Sequence, residues 1–117
     1  MKFMLYIVFF LISSCSSQLS VNPDVLKSGI VGSYYEVLID IDGGRVIEDS
    51  LRVNISNGSG LKYKLKDQNL VDASNHIVVY GTPKKNGKIS LNITGYVYKE
   101  GFLNDNHFNK TYFINVK

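Results

Sequence analysis

The sequence predicts an all-β fold, a single antiparallel β-sandwich of about seven strands, on three observations. From residue 34 onward apolar and polar residues alternate with a period of two almost throughout, as in strands with one buried face. Gly-, Asn- and Pro-containing turn signals interrupt that alternation every dozen residues or so. The same region has no convincing amphipathic helix with i, i+3, i+4 spacing. At this size a small barrel is the alternative closure.

The strands follow in order. Tyr35, Val37, Ile39 and Ile41 alternate with Tyr34, Glu36, Leu38 and Asp40, and Asp42-Gly43-Gly44 ends the run. Leu51, Val53 and Ile55 alternate with Arg52, Asn54 and Ser56, and a turn follows at Asn57-Gly58-Ser59-Gly60. Leu61, Tyr63 and Leu65 alternate with Lys62, Lys64 and Lys66. Ile77-Val78-Val79-Tyr80 is a short β-branched run closed by Gly81-Thr82-Pro83. At Gly81 a close backbone approach or a positive φ is expected, and Pro83 fixes the exit from the strand. After Asn86-Gly87, the residues Ile89, Leu91, Ile93, Gly95 and Val97 set one face of a long strand. Tyr112, Ile114 and Val116 set one face of the last, across a tip at residues 104–109. Leu91, Ile93, Tyr63, Val53 and Ile114 are therefore expected to face the core.

The chain begins differently. Met1-Lys2 precedes an apolar run over residues 3–12, then Ser13, Ser14 and Cys15. At about 1.5 Å per residue that run reaches roughly half of the ~30 Å hydrocarbon thickness, so it is too short to span a membrane and has the form of a secretory signal. Leu11-Ile12-Ser13-Ser14-Cys15 resembles the lipobox of bacterial lipoproteins, an aliphatic residue and two small ones before a cysteine. The resemblance implies cleavage after residue 14, acylation of Cys15 by chains such as palmitate, and a short tether over residues 15–23 before a domain over 24–117. Several acyl chains anchor stably where one chain binds marginally. Ser16 after the cysteine favours sorting to the outer membrane in hosts that have one. Cys15 is the only cysteine, so the exported domain has no disulfide and must rely on its core.

Gly32-Ser33-Tyr34-Tyr35, Gly60-Leu61-Lys62-Tyr63, Val78-Val79-Tyr80-Gly81-Thr82-Pro83 and Gly87, followed by two long closing strands, stand in a recognisable order. That order resembles the immunoglobulin-like domains of bacterial surface and secreted proteins, close to cadherin-like folds. The resemblance covers residues 24–117 and implies an immunoglobulin-like sandwich serving as a spacer, adhesion or ligand-binding module. One departure is residues 67–75, which lack the glycine found there in the family.

The formal charge of +3 includes Lys2 and gives no reason to expect a nucleic-acid partner. His76 and His107 have no ligand set at zinc spacing and are expected to be ordinary surface residues. No Gly-x-Ser-x-Gly elbow is present, and the carboxylate pairs Asp40/Asp42 and Glu48/Asp49 fall at strand ends or turns. No catalytic residue and no cofactor is therefore expected. Asn104-Asp105-Asn106 resembles the Asn-Asp-Asn core of the cadherin calcium motif, and Asp40-x-Asp42 its Asp-x-Asp partner. Asn and Asp dominate such turns for backbone reasons alone, so the expectation is no metal, with those five residues the candidates if one binds. Lys62, Lys64 and Lys66, with Lys84, Lys85 and Lys88 near in sequence, define a conceivable basic surface, and Tyr96, Tyr98 and Phe102 an aromatic one. The sequons at Asn54, Asn57, Asn92 and Asn109 read as strand and turn composition.

These features favour a membrane-anchored, non-enzymatic interaction module whose partner is an envelope protein or glycan. The alternative is a protective lipoprotein, an inhibitor, immunity or phage-exclusion factor acting against a protein that attacks the envelope.

Overall fold

The computed structural model describes residues 19–98 and 106–117. They form eight strands: β1 (Ser20–Asn22), β2 (Tyr35–Asp42), β3 (Arg45–Val46), β4 (Arg52–Ile55), β5 (Leu61–Leu65), β6 (His76–Gly81), β7 (Gly87–Tyr98) and β8 (His107–Val116). Two short 3-10 turns, Glu48–Ser50 and Ala73–Asn75, are the described helical elements.

The first sheet has the order β1-β2-β6-β5, with every pairing antiparallel. In the second, β7 pairs with β8 along one side and with β4 and β3 in succession along the other, again antiparallel. With β3 and β4 taken as one interrupted strand, this is the strand order of an immunoglobulin constant-type sandwich. β1 lies inside the segment read from sequence as tether, so the folded domain begins earlier than residue 24. After β1 the chain changes sheets, and Gly29 bridges Val116 in parallel, with its N–H donating to Asn115 O (2.8 Å) and its carbonyl accepting from Lys117 N–H (3.0 Å). Two buried tyrosines pin this crossing, Tyr112 Oη donating to Pro23 O (2.5 Å) and Tyr35 Oη to Lys27 O (2.7 Å). Burial pushes both phenols up to about 12, so they remain donors over any ordinary pH.

The core lies between the sheets. Ile39, Ile41, Ile77, Val79, Leu91, Ile93, Val97 and Ile114 are all buried, as the period of two requires. Leu91, Ile93 and Ile114 occupy the core as expected, and Val53 packs against it partly buried. Tyr63 does not. It lies opposite Val79 on the inward side of β5, yet it is 43% exposed because β5 is an edge strand paired only with β6. Alternation assigns a side of a sheet and carries no information about how far the facing sheet extends.

Glycine matters at two places. At Gly60 and Gly81 the backbones meet so closely that a Cβ on either would stand 2.2 Å from a carbonyl oxygen, and both have positive φ. This close approach at the start of β5 is the one expected at Gly81. At Gly95 an added Cβ would lie 2.7 Å from the Phe108 ring directly across the hairpin, so the missing side chain is the space that ring fills.

Leu91→Ala is expected to cost about 2–5 kcal/mol, because the side chain is fully buried between the sheets. Lys64→Ala, on the outer face, is expected to change stability by less than about 0.5 kcal/mol. Urea unfolding of the two variants checks the register, and equal losses would contradict it.

Candidate functional site

The sandwich has two chemically distinct ends. The first is where β2 ends, β6 begins and the chain enters through β1, since Ser20 pairs with Asp42 and Asp40 with His76. Asn75, 5% exposed, is the polar centre of this end. Its Nδ2 donates to Ile41 O and Gly44 O (both 2.7 Å), and its Oδ1 accepts from Val46 N–H (2.9 Å). One carboxamide thus satisfies backbone groups on both sides of the β2–β3 turn, where the chain leaves one sheet for the other. Beside it the His76 ring lies between two carboxylates, with Nδ1 2.6 Å from Asp40 Oδ1 and Nε2 3.0 Å from Asp72 Oδ2. A neutral imidazole has one N–H and can donate to only one of them, whereas imidazolium donates to both. The Asp40 hydrogen bond, aided by Asp72 and opposed by partial burial, raises the His76 pKa above its ordinary value. His76 is therefore a clamp between β2, β6 and the β5–β6 connection, not the ordinary surface histidine expected from sequence.

The opposite end is basic. There the turn before β5 meets the β6–β7 connection, with Lys84 N–H donating to Ser59 O (3.1 Å). Lys62, Lys84, Lys85 and Lys88 are exposed around this junction, and Lys27 and Lys117 join them from the crossing segment and the end of β8. Glu36, which accepts a hydrogen bond from Tyr34 Oη (3.1 Å), is the acidic residue described near them. Between the two turns lies a shallow cleft of about 140 Å³, lined by Ser56, Asn57, Ser59, Lys85, Asn86 and Lys88 among others. By contrast Asp40, Asp42, Asp67 and Asp72 all lie at the Asn75 end, opposed there by Lys66 and Arg45.

The residues proposed from sequence as an interaction surface do not form one patch. Lys62, Lys64 and Lys66 run up the outer face of the first sheet at its β5 edge, where Lys64 Nζ stands 4.9 Å from the Tyr80 ring centre. Tyr96 and Tyr98 are exposed on the outer face of the second sheet, Tyr96 with its ring centre 4.7 Å from that of His107 and tilted to it by 52°, and Tyr98 under the Arg45 guanidinium at 4.6 Å. Phe102, Asn104 and Asp105 lie outside the described residues, as do Cys15 and the apolar run before it. Of the other calcium candidates, Asp40 is paired with His76, Asp42 Oδ2 accepts from Asn22 Nδ2 (2.6 Å), and the Asn106 carbonyl accepts from Val97 N–H (2.9 Å). Among the described residues no group of His, Cys, Asp and Glu is arranged to hold a metal ion. Asn54, Asn92 and Asn109 line the polar outer face of the second sheet, where Asn92 Nδ2 donates to Asn109 Oδ1 (2.8 Å) and Thr111 Oγ1 (2.9 Å).

The clamp and the carboxamide give separate expectations. Asn75→Asp keeps an acceptor for Val46 N–H but loses both donors, and Asn75→Ala loses all three bonds. Each orphaned buried group costs about 1–3 kcal/mol, so both variants are expected to be strongly destabilised in urea titrations. For His76 the raised folded-state pKa means its stabilisation is fully present below about pH 6.5 and is lost as pH rises through the folded value. Stability should therefore fall as pH rises above about 6.5 by a part that His76→Gln removes, of about 0.3–1 kcal/mol as for partly exposed ion pairs. An identical pH profile in wild type and His76→Gln would contradict the clamp. The chain matches no protein-family model, no curated protein and no solved structure.

Proposed function

We propose that the chain is a lipid-anchored, non-catalytic binding module of the bacterial envelope that presents its lysine-rich end to an anionic partner, a protein or a glycan. The observation that carries this reading is the segregation of charge along the sandwich. Lys85 and Lys88 line the cleft at one end with Lys62 and Lys84 near it, and Asp40, Asp42, Asp67 and Asp72 lie at the end where the chain enters from Cys15. A domain tethered at its acidic end holds its basic end away from the bilayer, where like-signed side chains on a low-dielectric body raise the local concentration of anions and speed their association. The lipobox resemblance supports the anchor, and Ser16 supports the outer membrane as its place. The non-catalytic reading is supported by the state of the one acid–base cluster described. Both nitrogens of His76 are engaged by Asp40 and Asp72, leaving the ring no free position from which to serve a substrate.

Charge reversal tests the reading. Lys84→Glu, Lys85→Glu and Lys88→Glu together are expected to reduce capture of the partner from envelope extracts by about tenfold or more, without loss of fold. Raising the salt to about 0.5 M should weaken capture by the wild type as well. Undiminished, salt-insensitive capture by the triple variant would overturn the reading. Cys15→Ser is expected to move the protein from the membrane to the soluble fraction.

A further inference from the structure

The connection between β5 and β6 lies at the end through which the chain enters. Lys66 N–H donates to His76 O (2.9 Å), and Asn75 reaches Ile41 and Gly44 beside the Ser20–Asp42 pairing. At the outer limit of this connection Leu70 is 45% exposed and its neighbour Val71 is 83% exposed. They are not carried on a slack loop. Asp67 Oδ1 accepts from Asn69 N–H (3.0 Å), Leu70 O from Ala73 N–H (3.2 Å) and Asp72 O from Asn75 N–H (2.9 Å), while the Asp72 carboxylate is held by His76. A hydrogen-bonded connection thus keeps two adjacent apolar side chains in water. Single exposed apolar residues are ordinary on protein surfaces; adjacent pairs stand here at Leu70–Val71 and, at the lysine end, at Ile30–Val31, and it is the first that lies where the chain enters.

The length of chain before the sandwich says what covers them. Cys15 precedes Ser20 by five residues, at most about 18 Å of extended backbone. β2 alone, eight residues long, separates the two ends of the sandwich by about 26 Å. A lipid on Cys15 therefore keeps the Ser20 end close to the bilayer and cannot bring the lysine end to the same surface without laying the domain on its side. The acidic groups at this end are largely engaged, Asp42 with Asn22 and Asp40 and Asp72 with His76, so the contact rests on apolar insertion and not on attraction to anionic headgroups.

We propose that Leu70 and Val71 dip into the headgroup–acyl boundary of the bilayer that holds the Cys15 lipid, so that the domain stands on its Asn75 end with the lysine end facing outward. This rests on the lipid anchor proposed above. It makes the β5–β6 connection a second, weak membrane contact that adds a defined orientation to the lipid anchor, as paired signals do for lipidated proteins.

The test uses the full chain, processed in cells, purified in detergent and reconstituted into phosphatidylcholine vesicles containing spin-labelled lipid. Acylation leaves no thiol at Cys15, so a cysteine introduced as Val71→Cys or, at the far end, as Ser33→Cys takes a polarity-sensitive fluorophore alone. The expected result is a blue-shifted emission at position 71, quenched by the spin label at least about threefold more than at position 33. A second variant, Leu70→Asp combined with Val71→Cys, should bring the quenching down to the level at position 33. Equal quenching at positions 71 and 33 in acylated protein would overturn the orientation while leaving the anchor standing. Failure of fatty-acid label to enter the chain would overturn both.

Discussion

The β2–β3 turn is the point on which the two sheets depend, and the buried carboxamide of Asn75 holds it. A sandwich chain must leave one sheet and join the other, and at that step the backbone is committed to neither ladder. Here Ile41 O, Gly44 O and Val46 N–H would be left without partners in a poorly solvated place, and a single side chain from the entry to β6 satisfies all three. The bonds also run the other way, since by binding the turn Asn75 anchors the β5–β6 connection against the same end. His76, the next residue, extends the brace outward through Asp40 and Asp72.

This brace gives the sandwich a direction. The chain enters beside it at Ser20, and the aspartates and the exposed Leu70–Val71 pair gather on it. At the other end, the close approach of Gly60 and Gly81 draws two turns together beside a shallow cleft lined by Lys85 and Lys88. Burial in the core is nearly uniform along the length, so the asymmetry comes from the polar side chains at the strand ends and in the connections. If the chain is anchored through Cys15 as proposed, this polarity leaves one end at the lipid and the other free to meet a partner.

The strands were legible because their physics is local. Alternation in residues 35–41 and 89–97 places Ile39, Leu91 and Ile93 inward, and the Asn-Gly and Gly-Thr-Pro signals place the turns between them. β1 was not legible, since three residues containing Ser and Asn make no pattern and become a strand only through pairing with β2. Tyr63 shows the same limit, its side of the sheet being local information and its cover not. The site was harder to read. Asn75 and His76 bind groups about thirty or more residues away, Asp72 excepted, and spacing along the chain cannot reveal partners supplied by another strand. The clustering of Lys62 with Lys84 and Lys85 likewise exists only once the two turns meet, although the residues themselves stood out as a basic group in the sequence. The lysines of β5 and the tyrosines of β7, a basic and an aromatic surface in the sequence, lie on opposite sheets across the core.

Every functional element of this account assumes that the domain is held by lipid at its N terminus. The intact mass of the protein extracted from the membranes of the cells that make it measures this directly. The account predicts a chain beginning at Cys15, lacking residues 1–14 and heavier than residues 15–117 by a diacylglycerol group with or without an additional acyl chain. A chain with an unmodified Cys15 thiol, whether it begins at Met1 or at a cleavage site elsewhere, would contradict it.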